Sequence, residues 1–224
     1  MTKMRDLGLM RSESRPEAGC RSDVLTSCEV VGHIVDSNPH IESLTLVTYH
    51  EGLNWHELPR RGEDSHFLMP LSGLEQDSGE RILTRHSRNE MSAETLRVIA
   101  QSLRENQVLG LVSAVSLLDQ GSRHIPMMDF KCNPSTRNRD VLMLLLRKIG
   151  QRKGYLLESG RSFHYYGIEL LSEEEWQVFL GKCLLMSDYV DDRYIGHQLV
   201  DGYCVLRLSA GKLRPGVPTV VAEL

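Results

Sequence analysis

Apolar runs alternate with turn-forming residues throughout the second half of the chain, and their spacing predicts its secondary structure. Apolar residues at helical spacing predict one helix from 138 or 139 to 149 and another that begins at the capping box of Ser172 and Glu175. Short apolar runs predict strands at 108–118, 125–130, 155–158, 163–168 and 203–208. The resulting order, β-β-α-β-β-α-β, predicts an α+β fold with a largely antiparallel sheet and helices packed on one face.

The first half of the chain carries weaker patterns. Two β-favouring pieces, interrupted by Gly32, predict strand structure over 24–35, and a second strand is expected at 44–49. Ser92 is a favoured N-cap residue and is followed by apolar residues at helical spacing. No clear period runs through 50–91, where we expect short strands near 67–71 and 81–84.

The length of 224 residues leaves room for one medium domain, or for one domain with an appendage. The polar, mixed-charge start of the chain predicts a frayed tail at 1–22, and residues 23–107 form an N-terminal part of the domain without a functional assignment. The better-patterned core is expected at 108–210. A Gly- and Pro-containing C-terminal tail is expected at 211–224.

Charge and cysteine content narrow the class of protein. The formal net charge of −4 argues against a protein that coats nucleic acid through bulk positive charge, although 131–161 carries eight basic and two acidic residues. The longest aliphatic run, 141–146, is far short of the roughly 20 residues that a membrane span needs. Five scattered cysteines do not form a disulfide framework. We therefore expect a soluble, cytoplasmic protein without membrane contact.

The first candidate cluster is an acidic residue inside an apolar strand. Asp129 lies within Met127-Met128-Asp129-Phe130-Lys131, and strand alternation puts Asp129 and Lys131 on one face. A buried carboxylate is unfavourable without a partner or a metal. The simpler interpretation is an Asp–Lys pair at a strand end.

The second cluster is a tight turn between two strands. Ser159-Gly160-Arg161-Ser162 offers backbone N–H groups, two hydroxyls and a guanidinium, and His164 and Tyr166 follow on one face of the next strand. Such donors suit a phosphate or another oxyanion. The alternative is an ordinary hairpin with a half-buried histidine.

The third cluster combines neighbouring acids with a later arginine. Asp191 and Asp192 follow Tyr189-Val190, and adjacent aspartates in loops are most often helix caps or turn formers. Arg207 lies in an apolar strand, where a guanidinium needs an acidic partner or a ligand.

Taken in order, these clusters resemble the archaeo-eukaryotic primase superfamily. Ser159-Gly160-Arg161-Ser162-Phe163-His164 resembles its second motif, Asp129 matches the first carboxylate of its first motif, and Val190-Asp191 looks like its third. The resemblance covers about 108–209. It implies an RRM-like primase-type core that binds a nucleotide and divalent metals, and a place in DNA replication.

The resemblance also implies roles for individual residues. Asp129 and Asp191 would hold Mg²⁺ or Mn²⁺ and, with His164, would be catalytic. The residues implied to bind the nucleotide are Lys131, Ser159, Arg161, His164 and Arg207. The implied partners are a nucleoside triphosphate and single-stranded nucleic acid.

Lys131 departs from the family pattern, in which a second acid follows the first after one residue. Two such carboxylates face the same way and can share a metal pair. A lysine removes one ligand, and at ~4 Å and an effective dielectric of ~20 each unit of like charge costs about 4 kcal/mol, or twice that against a divalent ion. The ammonium could instead hold a triphosphate directly.

The sequence therefore predicts a primase-like nucleotide- or nucleic-acid-binding protein more strongly than it predicts metal-dependent nucleotidyl transfer. The alternative is a catalytically inactive nucleotide sensor or protein-interaction module on the same fold. A structural protein with coincidental motifs would instead keep Asp129, His164 and Asp191 far apart.

Overall fold

A computed structural model describes residues 24–50 and 81–224 of the chain. The helices are α1 (Ser27–Ser37), α2 (Ala93–Gln101), α3 (Thr136–Lys148), α4 (Glu173–Leu184) and α5 (Asp192–Asp201), with a 3₁₀ turn at Arg88–Glu90. The strands are β1 (Ile41–His50), β2 (Ile82–Ser87), β3 (Gln107–Leu117), β4 (Ser122–His124), β5 (Met127–Phe130), β6 (Gly154–Glu158), β7 (Phe163–Gly167), β8 (Val205–Arg207) and β9 (Thr219–Glu223).

These strands form two antiparallel sheets. The first sheet has the order β2-β1-β3-β4, with β8 also paired to β3, and the second has the order β5-β7-β6-β9. The α+β class and the antiparallel pairing are confirmed. The strands are divided between two sheets, where the sequence predicted one.

Pro126 marks the point at which the chain passes from one sheet to the other. The Ile125 N–H donates to the Ser113 carbonyl of β3 at 2.8 Å, whereas the Pro126 carbonyl accepts from the Gly167 N–H of β7 at 2.7 Å. Because proline has no N–H to donate, it does not continue a ladder in the middle of a sheet. The strand predicted at 125–130 is therefore shorter, and it opens the second sheet.

The strand structure predicted over 24–35 is wrong, because this segment forms α1. Thr26 and Glu29 make a capping box at its start. Val30, Val31, Ile34 and Val35 are buried at helical spacing. This spacing and the cap outweigh the strand preference of the β-branched residues.

Several other expected elements are present. The strand expected at 44–49 lies inside β1, the strand near 81–84 overlaps β2, and the Ser92 side chain caps α2 by accepting from the Thr95 N–H at 3.1 Å. The strand expected near 67–71 and the tail expected at 1–22 lie outside the described residues. The segment expected to form a C-terminal tail contributes β9, which pairs with β6.

The apolar core surrounds the strands that carry the candidate residues. Its largest fully buried side chains include Phe130 on β5, Phe163, Tyr165 and Tyr166 on β7, and Trp176 on α4. This packing gives β5 and β7 a fixed position. In the described residues, no helix combines the length and apolar character that crossing a bilayer requires.

Candidate functional site

Asp129 and His164 lie directly opposite each other on the paired strands β5 and β7. The His164 Nε2 atom is 3.6 Å from Asp129 Oδ1. The Asp129 side chain is 33% exposed, whereas that of His164 is only 2% exposed. The Asp129 side chain is therefore only partly accessible to solvent, and the imidazole is buried next to it.

The turn between β6 and β7 is closed by its two serines and is tied to Asp129. The Ser159 N–H and hydroxyl donate to the Ser162 carbonyl at 2.9 and 3.2 Å, and the two hydroxyl oxygens lie 3.1 Å apart. Ser162 Oγ donates to Asp129 Oδ1 at 3.4 Å. Gly160 has a φ of 106°, a left-handed conformation that glycine adopts without strain. The Arg161 side chain is exposed at the tip.

Arg207 lies beneath this turn and connects it to the C-terminal segment. Its Nη2 group donates to the Ser159 carbonyl at 2.8 Å, and its Nη1 group donates to the carbonyls of Gly216, at 2.9 Å, and Ser209. The side chain is buried. The expectation that this guanidinium needs an acidic partner or a ligand is corrected: backbone carbonyls accept its hydrogen bonds.

The segment that carries Asp191 lies beside the end of β5. Phe130 and Val190 form an isolated antiparallel bridge, and the Lys131 N–H donates to the Tyr189 carbonyl at 2.8 Å. Asp191 caps α5 by accepting from the Arg193 N–H at 3.0 Å, as the helix-cap interpretation expected.

Lys131, expected either to pair with Asp129 or to bind a ligand, is exposed. Its ammonium makes no ion pair among residues 24–50 and 81–224. The simple Asp–Lys pair is therefore not formed, and the Lys131 cation lies at the rim of the site.

Burial and nearby charges shift the pKa values of both central groups. Burial raises the pKa of Asp129 to about 6, and the nearby Asp191 adds to this, while Arg214, the Ser162 hydroxyl and Arg207 oppose it. Burial, with help from Arg207 and Arg214, lowers the pKa of His164 to about 3. At neutral pH the site therefore holds a carboxylate beside a neutral imidazole.

His164 keeps unused hydrogen-bonding capacity. Its Nδ1 atom is buried and has no hydrogen-bond partner within the described part of the chain. An unpartnered buried polar atom costs about 1–3 kcal/mol, so natural structures rarely keep one without a use for it.

Arg214 is a site residue that the sequence reasoning missed. Among the charged groups around Asp129, it has the largest effect on the pKa of that carboxyl. It was overlooked because residues 211–224 were expected to form a tail. A basic residue in a Gly- and Pro-containing segment gives no sequence signal that it lies beside an acid some 85 positions earlier.

The structure thus brings most of the expected residues together. The paired strands β5 and β7, together with the turn between β6 and β7, connect Asp129, His164, Ser159 and Arg207. Asp191 lies within electrostatic range of Asp129. Arg161 and Lys131 are exposed at the edge.

The donor set does not fit a two-metal centre. Asp129 and Asp191 are the two carboxylates near the site, and the described residues contain no group of three His, Cys, Asp or Glu side chains that could hold a metal ion. One of these carboxylates caps a helix, and a lysine stands where the family has its second acid. Metal binding by Asp129 and Asp191 stays a prediction from the resemblance.

A second histidine–carboxylate pair lies elsewhere, between β4 and α4. His124 Nε2 is 2.8 Å from Glu173 Oε2, and His124 Nδ1 is 3.4 Å from the Ser113 hydroxyl. The imidazole stacks on Trp176 with ring centroids 4.4 Å apart. Ser113 is fully buried, so this Ser-His-Glu series has no access to a substrate.

Comparison with protein families identifies the group to which the chain is related. A family model described as archaeo-eukaryotic primase 1D-like matches residues 87–217, more than half of the chain. The chain belongs to this primase-like family. The match spans the structure from the 3₁₀ turn to the segment before β9, and it contains Asp129, His164, Arg207 and Arg214. The resemblance seen in the sequence is therefore confirmed.

Neither the curated proteins nor the solved structures contain a match to this primase-like chain.

Proposed function

We propose that this primase-like protein binds a nucleotide through its phosphates at the site centred on Asp129 and His164. The observation that carries the proposal is the register of β5 and β7. It brings the partly accessible carboxylate, the buried imidazole and the serine-arginine turn into one place. The three motifs could have been scattered over the fold, and they are adjacent.

The turn offers donors of the kind that phosphate oxygens need. The Gly160 and Arg161 N–H groups donate to no described residue, and the Arg161 side chain makes no ion pair in the described ranges. Backbone N–H groups in a turn with a left-handed residue, together with a guanidinium, form a concave anion-binding surface. Lys131 adds a second exposed cation at the same edge.

The remaining residues support this surface. Arg207 fixes the turn through the Ser159 carbonyl, and Ser162 connects the turn to Asp129. The predicted phosphate contact of Arg207 is thus replaced in this proposal by a positioning role. His164 is the least exposed member and acts through Asp129.

Binding is better supported than nucleotidyl transfer. Two-metal catalysis requires acids that clamp both ions, and the acid expected two residues after Asp129 is Lys131. Single-stranded nucleic acid stays a predicted partner, because the basic stretch at 131–161 continues past the site along α3.

The test is nucleotide binding measured by isothermal titration calorimetry with each of the four ribonucleoside triphosphates, with and without MgCl₂. Arg161→Ala should weaken binding about tenfold, because charged hydrogen bonds contribute about 1.5–3 kcal/mol and 1.4 kcal/mol is one factor of ten. Arg152→Ala removes an exposed arginine before the opposite end of β6 and serves as the matched control.

Absence of binding in every buffer, or equal loss in the two arginine variants, would refute the proposed site. A separate assay with template, nucleoside triphosphates and Mn²⁺ addresses catalysis. Product from the wild type that disappears in Asp129→Ala would establish nucleotidyl transfer and show that the binding-only function is too narrow.

A further inference from the structure

The groups around Asp129 are arranged differently from those of a metal centre. Arg207 connects the turn beside this carboxylate to the C-terminal loop that carries Arg214, and Lys131 follows the end of its strand. We infer that the site holds the phosphates of its nucleotide without a bound divalent metal, and that Arg214 and Lys131 supply the positive charge. This inference rests on the proposed function.

The loop that carries Arg214 lies beside the turn next to Asp129, because Arg207 donates to the Gly216 carbonyl of this loop at 2.9 Å and to the Ser159 carbonyl of the turn at 2.8 Å. The Leu109 N–H donates to Ser209 Oγ at 3.0 Å at one end of the segment, and the Ser27 N–H donates to the Pro218 carbonyl at 2.9 Å at the other. Within it, the Gly211 N–H donates to the Arg214 carbonyl at 2.8 Å. The backbone that presents this guanidinium is therefore fixed.

The Arg214 guanidinium does not pair with Asp129. It acts electrostatically on the carboxyl, yet it makes no salt bridge or hydrogen bond within the described part of the chain. An arginine in this position has its planar fork of donors available for a phosphate, which it binds in a bidentate manner.

Lys131 provides the second cation. Its backbone is fixed by the hydrogen bond to the Tyr189 carbonyl, and its side chain is exposed at the rim. A lysine ammonium repels a divalent cation and attracts a phosphate, so the same substitution that disfavours a metal pair favours direct phosphate binding.

The two types of site respond in opposite directions to the loss of Asp129. In a metal-held site the carboxylate is a ligand, so its removal abolishes binding. In a site held by protein cations the carboxylate repels the phosphate, so Asp129→Asn removes that repulsion while the amide oxygen still accepts the Ser162 hydrogen bond.

The experiment measures the binding of ATP and of inorganic tripolyphosphate by calorimetry, first in excess EDTA and then in excess MgCl₂ or MnCl₂. The wild type should bind both ligands in EDTA, and excess MgCl₂ or MnCl₂, which complexes the phosphates and lowers their charge, should not strengthen this binding. Arg214→Ala and Lys131→Ala should each weaken binding in EDTA by about tenfold, and Asp129→Asn should tighten it.

Two further variants control for charge and for folding. Lys212→Ala removes an exposed cation from the same loop and should change the affinity by less than about twofold. Arg214→Lys keeps the charge and should retain more binding than Arg214→Ala. Circular dichroism should show that all variants are folded.

Lys131→Asp places a second acid two residues after Asp129, which is the spacing expected from the resemblance to the family. It should abolish binding in EDTA, because it replaces a cation with a carboxylate.

Binding of the wild type that disappears in EDTA and returns with Mg²⁺ or Mn²⁺ would overturn this inference while leaving the proposed function intact. Loss of binding in Asp129→Asn, or wild-type affinity in Arg214→Ala, would overturn it as well. Absence of binding in every buffer would overturn the proposed function and the inference together.

Discussion

Residues 24–50 and 81–224 contain two histidine–carboxylate pairs, and these differ in how completely their hydrogen bonds are made. Both nitrogens of His124 have partners, at Glu173 and Ser113, and its ring stacks on Trp176. His164 is 3.6 Å from Asp129, and its other nitrogen has no hydrogen-bond partner among the described residues. A satisfied pair stabilises the fold, whereas the pair with an unpartnered nitrogen lies where we propose that the nucleotide binds.

The largest loss in the free energy of unfolding is expected from Arg207→Met, which changes the side chain that supports the turn beside Asp129 and His164. The substitution leaves the carbonyls of Ser159, Ser209 and Gly216 without their guanidinium donor inside the protein. We expect the free energy of unfolding to fall by about 3–5 kcal/mol, because each unpaired buried polar group costs about 1–3 kcal/mol. Urea unfolding followed by circular dichroism measures this.

The exposed Arg161 provides the control for Arg207, because Arg161→Met changes the same side chain at the tip of the same turn. It should change the free energy of unfolding by less than about 0.5 kcal/mol. Equal effects of the two substitutions would mean that Arg207 does not hold the turn in place.

The same substitution at the two histidines should separate their roles. His124→Leu loses the Trp176 stacking and two polar partners, so we expect a loss of about 2 kcal/mol in the free energy of unfolding. His164→Leu removes a nitrogen that is already unpartnered, so its loss should be below about 1 kcal/mol. The midpoints of urea unfolding, compared at a constant m-value, measure the loss in each variant.

Nucleotide affinity should show the reverse order for the two histidines. His164→Leu should change the affinity, since it changes the surroundings of Asp129, and His124→Leu should not. A variant at His164 that is as unstable as its counterpart at His124, yet binds normally, would contradict the contrast between the two pairs.

The smallest effect in the wild type is expected in the pH dependence of stability, because the contributions of Asp129 and His164 have opposite signs and partly cancel. With its pKa raised from 3.8 to about 6, folded Asp129 binds more protons than the unfolded chain, so its contribution to stability falls as the pH rises between these values. With its pKa lowered from 6.5 to about 3, folded His164 binds fewer protons, so its contribution rises with pH between about 3 and 6.5.

Single variants should therefore change the slope in opposite directions. In denaturant titrations from pH 4 to pH 6, Asp129→Asn should make the free energy of unfolding rise more steeply with pH, and His164→Leu should make it rise less steeply or fall. The double variant should lie between them. Wild-type slopes in both single variants would show that these two groups do not set the pH dependence.

Local signals in the sequence were sufficient for the hairpin between β6 and β7 and for the starts of α2 and α4. The capping box at Ser172 and the turn at Ser159–Ser162 are encoded within four residues each, and both are present. The Asp191 motif is likewise a short-range feature. These elements depend on neighbours in the chain, which a single sequence displays directly.

Features that depend on distant partners were missed. In the sequence, the β-branched residues of α1 favoured a strand. Only the structure shows that these residues are buried at helical spacing. The division into two sheets occurs at Pro126. The preceding Ile125 N–H donates to Ser113 of β3, whereas the Pro126 carbonyl accepts from Gly167 of β7. Arg214 reaches Asp129 through a loop anchored at Leu109 and Ser27, contacts that no local pattern encodes.

The strand pairing has a consequence for how the protein can be divided. β1 pairs with β3 along most of its length, and β9 completes the second sheet beside β6, yet both strands fall outside the family match at 87–217. A fragment cut at those limits would leave the backbone groups of β3 and β6 without partners and uncover their apolar side chains. We therefore expect that a stable fragment must include α1 to β9, beyond both limits of the match.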